Sequence, residues 1–129
     1  MSSSNKSVFL VCLLILLSSN NVLGKTHVRV TNTLEGGLDL TVHCKSKDND
    51  IGIQHLRPNG FFEFSFRPNY FGTTLFYCSF QWQNVIHWFD IYVDKRDWTR
   101  CTDCYWSIKT TGPCLAANDR GTDCFKWNK

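Results

Sequence analysis

Several features that would assign the chain to a common class are missing. After the first two dozen residues there is no apolar run long enough to span a bilayer, so no membrane insertion is expected. There is also no cluster of Lys and Arg, and the net charge of +3 falls to +2 when Lys6 is removed with a leader. Because phosphate binding needs clustered positive charge, no nucleic acid partner is expected. No segment of ten or more residues has helical periodicity, which disfavours a helical fold.

Motifs for catalysis and for metal binding are missing as well. No G-x-S-x-G nucleophile motif occurs. The C-x-x-C at 101–104 runs into a strand pattern, so no helix dipole would lower the pKa of a thiol there. Cys114 and Cys124 do not form the second close pair that a zinc site requires. We therefore expect no catalytic residue, no metal ligand and no cofactor, and we interpret the chain as a non-enzyme.

The N-terminal segment has the pattern of a secretory signal. Lys6 precedes the short apolar run VFLVCLLILL, and small residues follow before Lys25. This pattern predicts a signal peptide over residues 1–24, and a secreted, extracellular protein of residues 25–129. The remaining length suffices for one domain and not for two.

Cysteine is the most informative residue type that is present. The mature segment contains six: Cys44, Cys78, Cys101, Cys104, Cys114 and Cys124. An even number in an exported chain predicts three disulfides and no free thiol. The residues themselves do not fix the pairing.

Apolar and polar residues alternate with a period of two in six segments. The residues predicted to face inward are Val28, Val30, Leu38, Leu40, Val42, Cys44, Phe62, Phe64, Phe66, Phe76, Cys78, Phe80, Trp82, Phe89, Ile91, Val93, Cys104, Trp106 and Ile108. Turn residues separate these segments at 35–37, 57–60, 67–72 and 111–113. The pattern predicts an all-β fold, a small disulfide-bridged antiparallel β-sandwich.

The stretch DNDIG at 48–52 faintly resembles a calcium loop. Ile51 occupies the position before Gly52, and Asn59 stands where a closing Glu would be expected. We therefore interpret the stretch as a solvated turn after the strand that ends at Cys44.

Several separated motifs together carry a resemblance to a known family. They are VHCKSKDNDIG, FFEFSF, NYFGTTLFYCSFQW, FDIYVDKRD, CTDCYWSIKTTGPC and CFKWN, in this order. Over about Val28 to Asn128 they resemble the plant self-incompatibility S-protein family, also called S-protein homologues. The resemblance implies a secreted β-sandwich with structural disulfides and without catalytic residues. It implies further that Cys114 and Cys124 form an added bridge, while the other four cysteines pair among themselves in an open order.

The resemblance also implies a function. Founding members of the family are pistil ligands that pollen recognises through a membrane protein, in self-incompatibility. We therefore expect a monomeric extracellular ligand whose partner is a membrane receptor on a plant cell. A secreted defence or antimicrobial protein is the alternative, followed by a secreted hydrolase. The only N-glycosylation motif, Asn5-Lys6-Ser7, lies inside the predicted signal peptide, so no N-glycan is expected.

Recognition residues are expected in loops, because strands build the core. The candidate loops are 45–51, 83–87 and 94–100. The last is the favoured receptor-binding loop, with Asp94, Lys95, Arg96, Asp97, Trp98 and Arg100 as candidate residues. Trp and Arg are enriched at binding hot spots, and replacing Arg96, Asp97 and Trp98 is expected to leave folding intact. In the competing interpretation, Trp98 folds back onto the sandwich and the charges only solvate a turn.

Overall fold

A computed structural model describes residues 24–117 and 121–129, and within them the chain forms nine strands and one short helix. The strands are β1 (Thr26–Asn32), β2 (Leu40–Lys45), β3 (Asp50–Leu56), β4 (Phe61–Phe66), β5 (Leu75–Trp82), β6 (Val85–Val93), β7 (Asp103–Lys109), β8 (Gly112–Ala117) and β9 (Gly121–Cys124). The helix, α1 (Asp94–Asp97), connects β6 to β7. The predicted signal peptide lies outside the described residues, except for Gly24.

The described strands form two sheets packed as a sandwich, which confirms the predicted fold class. One sheet has the order β4-β1-β7-β8-β9 and the other the order β3-β2-β5-β6. Rings from the two sheets meet in the core, as Phe66 and Phe76 do with centroids 4.5 Å apart. One pairing departs from the expected antiparallel arrangement, since β1 and β7 are parallel. A parallel pair needs a long crossover, and here the chain passes through the whole second sheet between these two strands.

The period-two pattern places most of the core correctly. Val28 and Val30 in β1, and Val42 and Cys44 in β2, are fully buried. Phe62, Phe64 and Phe66 on the edge strand β4 are only partly buried and pack against the same core. The alternation succeeds because adjacent side chains of a strand point to opposite faces of its sheet. Tyr92 departs from it: this residue is buried next to buried Ile91, where the β5–β6 register shifts between Phe76 and Cys78.

The interpretation of DNDIG as a turn is wrong for its last residues. The turn comprises residues 46–49 and is closed by hydrogen bonds from Ser46 N to Asn49 O (2.8 Å) and from Asn49 N to Ser46 Oγ (3.1 Å). Strand β3 then begins at Asp50. A register shift at Cys44/Lys45 accompanies this start. This edge strand lacks clean alternation of burial, so its sequence gives no period-two signal.

Two other loop boundaries are also corrected. Of the predicted loop 83–87, only Gln83 and Asn84 form the turn, and β6 begins at Val85. Of the predicted turn 111–113, Gly112 already belongs to β8. Gly112 has φ +147°, and a Cβ there would lie 1.9 Å from the carbonyl oxygen of Phe125. Glycine is common in turns, but at this position it is required because the backbone at Phe125 leaves no room for a side chain.

The described cysteines form three disulfides. Cys44–Cys78 joins directly paired positions of β2 and β5, and Cys101–Cys104 links the segment before β7 to the second residue of that strand. Cys114–Cys124, the bridge that the family resemblance implied, joins β8 to β9. Cys114 pairs with Ser107, whose neighbours in β7 point into the core, so this bridge lies on the outer face of its sheet.

The C-terminal residues tie the two sheets together. After β9 the chain crosses to β6, where Asn128 N donates to Trp88 O and Trp88 N donates to Lys129 O, both at 2.8 Å. The Trp127 ring stacks on His87 at 5.0 Å, and its Nε1 donates to Thr110 O. The edge of β6 is therefore covered by the chain's own last residues.

Candidate functional site

The segment 94–100 contains a buried ion pair. The Asp97 side chain is 0% exposed, and the Arg96 side chain is 20% exposed. The two side chains form two hydrogen bonds of 2.7 Å, from Arg96 Nε to Asp97 Oδ1 and from Arg96 Nη2 to Asp97 Oδ2. Asp97 Oδ2 also accepts from Val93 N at 3.0 Å. The expectation that the whole segment is a solvent-exposed loop is therefore wrong for these two residues.

Arg96 also packs on the aromatic core. Its guanidinium carbon lies 5.0 Å from the ring centroid of Phe89, 5.3 Å from that of Trp106 and 5.2 Å from that of Phe125. Nη2 further donates to the backbone oxygen of Asp90 at 2.8 Å. A planar guanidinium can stack and donate at the same time, which a lysine ammonium cannot do. Arg96 and Asp97 thus fix α1 to the end of the sandwich.

Other members of the same segment face solvent. Trp98 is 68% exposed, and Lys95 is exposed beside it, so Trp98 does not fold back onto the sandwich. Arg100 is exposed and reaches Asp123 Oδ2 at 3.1 Å. The segment therefore divides into an inward anchor and outward side chains.

Asp94 connects the segment to its neighbours. Its backbone N donates to Thr74 O at 3.1 Å, and its carboxylate accepts from the Tyr92 hydroxyl at 3.2 Å. Burial, together with this nearby carboxylate, raises the pKa of Tyr92 to about 12. The phenol therefore remains a neutral donor at physiological pH and holds the start of α1 against β6.

Two more aromatic side chains are exposed on the neighbouring loop. Tyr70 is 97% exposed and Phe71 is 85% exposed, and their rings contact each other edge-to-face at 5.9 Å. The same loop reaches α1 through the Thr74–Asp94 bond and through Gly72, where an added Cβ would lie 3.1 Å from the Asp94 carboxylate. We call the exposed side chains of Tyr70, Phe71, Lys95 and Trp98 the aromatic end. Residues 67–72 were expected only to form a turn, although two consecutive aromatics inside a polar turn were a signal for exposure.

A groove lies next to the aromatic end. It has a volume of about 560 Å³ and is bounded by the turn 46–49, by Arg67 and Asn69, and by residues 73–77. The pairings Lys45–Tyr77 and Leu75–Val93 put this turn and α1 at the same end of their sheet. The hairpin at Gln83 and Asn84 lies at the opposite end of β5 and β6. Of the three candidate loops, the structure thus brings two together.

The outward polar residues within residues 24–117 and 121–129 form separate pairs on the two sheets. Glu63 is paired with Arg29 on one sheet, whereas Asp90 lies on the other. His43 Nε2 contacts Asp50 Oδ1 at 2.7 Å, and the pKa of Asp50 is lowered mainly by the Gly52 N–H and secondarily by this histidine. No group of three potential metal-ligating side chains occurs in the described part of the chain.

The fold and the bridges define a small disulfide-bonded β-sandwich that presents side chains at one end. The chain belongs to the plant self-incompatibility protein S1 family, whose model matches residues 27–127. S-protein homolog 3 of Arabidopsis thaliana is 47% identical over 107 residues, covering 78% of this chain and 71% of that protein. S-protein homolog 29 of the same plant is 41% identical over 110 residues, covering 84% and 82%.

A solved structure shares the fold. Its TM-score is 0.59 at 21% identity, and the match covers 82% of this chain and 96% of the other. That protein is an SPH (Self-Incompatibility Protein Homologue), from a family described as small, highly stable and secreted in plants. Across the described residues of the present protein, no helix combines the length and apolarity needed to cross a membrane.

Proposed function

We propose that the protein is a secreted, non-enzymatic ligand that a membrane receptor on a plant cell recognises, with pollen–pistil recognition as the setting that the family suggests. The single observation that carries the proposal is the exposure of Trp98 directly after a helix that a buried ion pair holds in place. Contact between a large apolar Trp ring and water is unfavourable, and burial of the ring against a partner would remove that cost. An exposed Trp that is held in a fixed position therefore favours a role in binding.

The anchor also reduces the entropic cost of binding. Arg96 and Asp97 hold α1 before any partner arrives, and the Thr74–Asp94 bond holds the loop that carries Tyr70 and Phe71. A surface ordered in advance loses less conformational freedom on association. Lys95 adds a positive charge beside the rings, which would favour a receptor surface with acidic residues.

Binding of the labelled, purified protein to intact plant cells tests the proposal. We expect saturable binding by the parent protein, and at least about thirtyfold weaker binding by Lys95→Ala/Trp98→Ala, since a hot-spot pair contributes about 2 kcal/mol or more. The matched control is Trp88→Ala/Lys126→Ala, which removes the same side-chain types from β6 and from the C-terminal residues.

The two variants separate recognition from general loss of charge or aromatic surface. The Lys95→Ala/Trp98→Ala variant should melt close to the parent protein. The control, whose Trp88 is only 38% exposed, should melt at a lower temperature and still bind cells as the parent does. Unchanged binding by a folded Lys95→Ala/Trp98→Ala variant would exclude the aromatic end as the receptor contact. Hydrolysis of cell-surface polymers by the parent protein would instead favour the alternative of a secreted hydrolase.

A further inference from the structure

The groove next to the aromatic end has a chemistry that the proposed receptor contact does not use. Its opposite sides carry Lys47 and Arg67, and neither forms an ion pair with any residue that the structure describes. Asp48 supplies the one carboxylate among the described residues that line it. The nearby carboxylate of Asp50 is already bonded to His43 and to the Gly52 N–H. Two cations against one carboxylate favour an anionic ligand.

Both sides of the groove are held by local hydrogen bonds. Asn49 N donates to Ser46 Oγ at 3.1 Å on one side. On the other side Asn69 N donates to Thr74 Oγ1 at 2.7 Å, and Thr73 N donates to Asn69 Oδ1 at 3.0 Å. The Ser46 and Thr74 hydroxyls accept in these bonds, so their hydrogens remain available to donate to a ligand. The groove is therefore preformed and retains hydroxyl donors.

The floor of the groove is the start of β5, where Leu75 and Phe76 pair with β6 and the pairing with β2 begins only at Tyr77. The exposed ring of Tyr77 can support the apolar face of a sugar ring, and hydroxyl and amide groups that line the groove lie beside it. We propose that this groove binds an acidic oligosaccharide, a linear polyuronate whose carboxylates meet Lys47 and Arg67.

Isothermal titration of the mature, disulfide-bonded protein tests the proposal, with a linear oligogalacturonate of defined length as the probe. We expect binding that weakens as salt is added, because the contacts are partly exposed and are screened. Two further ligands serve as comparisons: the fully methyl-esterified oligomer and a polyglutamate peptide with the same number of carboxylates. Both should bind at least about tenfold more weakly.

Two charge-matched variants locate the site. Lys47→Gln/Arg67→Gln should weaken oligogalacturonate binding about tenfold or more. Arg57→Gln/Lys109→Gln removes the same charge at the opposite end of the sandwich, and its affinity should stay within about twofold of the parent value. Thermal melts of both variants should match the parent protein, since all four side chains are exposed.

Three results would overturn the inference: no binding of oligogalacturonate, an equal loss in both variants, or equal affinity for polyglutamate. The last would show that the groove accepts any polyanion and not a saccharide. These outcomes are independent of the receptor proposal, because Lys95 and Trp98 remain intact in every variant used here.

Discussion

Removal of the Asp97 carboxylate is the sharpest test of the anchor. In Asp97→Ala the Arg96 guanidinium loses its counterion, and the Val93 N–H loses its acceptor. Breaking a buried pair by removing one partner costs about 3–5 kcal/mol. Because Arg96 is 20% exposed and keeps its bond to Asp90 O, water can solvate part of the charge. We therefore expect the lower end of the range, a loss of about 3 kcal/mol in the free energy of unfolding.

Urea unfolding at neutral pH with the disulfides intact measures this loss. The midpoint should fall while the m-value stays constant, and the melting temperature should drop by about 12 °C, since 1 kcal/mol corresponds to about 4 °C for a domain near 100 residues. Lys95→Ala, a change at the exposed neighbour, is the matched control and should stay within about 0.5 kcal/mol of the parent. If Asp97→Ala unfolds with the parent's stability, the ion pair does not hold α1.

Three further predictions concern the core, the added bridge and pH. Trp106→Ala should lower the free energy of unfolding in urea by about 3–5 kcal/mol, because the ring is buried among other aromatics. His43→Ala removes only a partly exposed contact and should lower it by about 1 kcal/mol or less. Equal losses would contradict the faces assigned to these two residues. Replacing Cys114 and Cys124 by Ser should leave a folded sandwich that melts at a lower temperature, because this bridge lies outside the core and closes a short loop; loss of the fold by circular dichroism would refute that placement. The pKa of Tyr92 is raised from 10.0 to about 12 on folding, so the stabilising contribution of this phenol is present below pH 10 and is lost as pH rises toward 12. The Tyr92→Phe variant should show a smaller decline in the free energy of unfolding over this interval. An unchanged decline would count against this role of Tyr92.

How closely the burial of a strand follows its sequence pattern depends on where the strand lies in its sheet. In β2 and β5, which have neighbours on both sides, Val42, Cys44 and Cys78 alternate strictly with polar residues, and their burial was predicted correctly. Strand β3 lies at an edge, begins beside a register shift and contains Gly52 with φ +88°. Its core contacts are few, so a period-two signal was neither required nor present.

The anchor could not be predicted from its own residues. DKRDWTR is a run of mixed charge, and such runs usually face solvent. Arg96 is covered because Phe89, Trp106 and Phe125 converge on it from three separate segments of the chain. Only the tertiary fold brings these rings together, so neither composition nor periodicity could indicate that this one arginine is inward.

The segment around α1 separates buried anchoring side chains from exposed ones over four consecutive positions. Arg96 and Asp97 contact the core, whereas Lys95 and Trp98 point to solvent on either side of them. Side chains with no shared contacts contribute almost independently to the free energy of unfolding. Residues 95 and 98 can therefore change in size and charge while the helix keeps its position. A disulfide-bonded sandwich with such an anchor can present different contact residues from an unchanged core, which is what the proposed role as a receptor ligand requires.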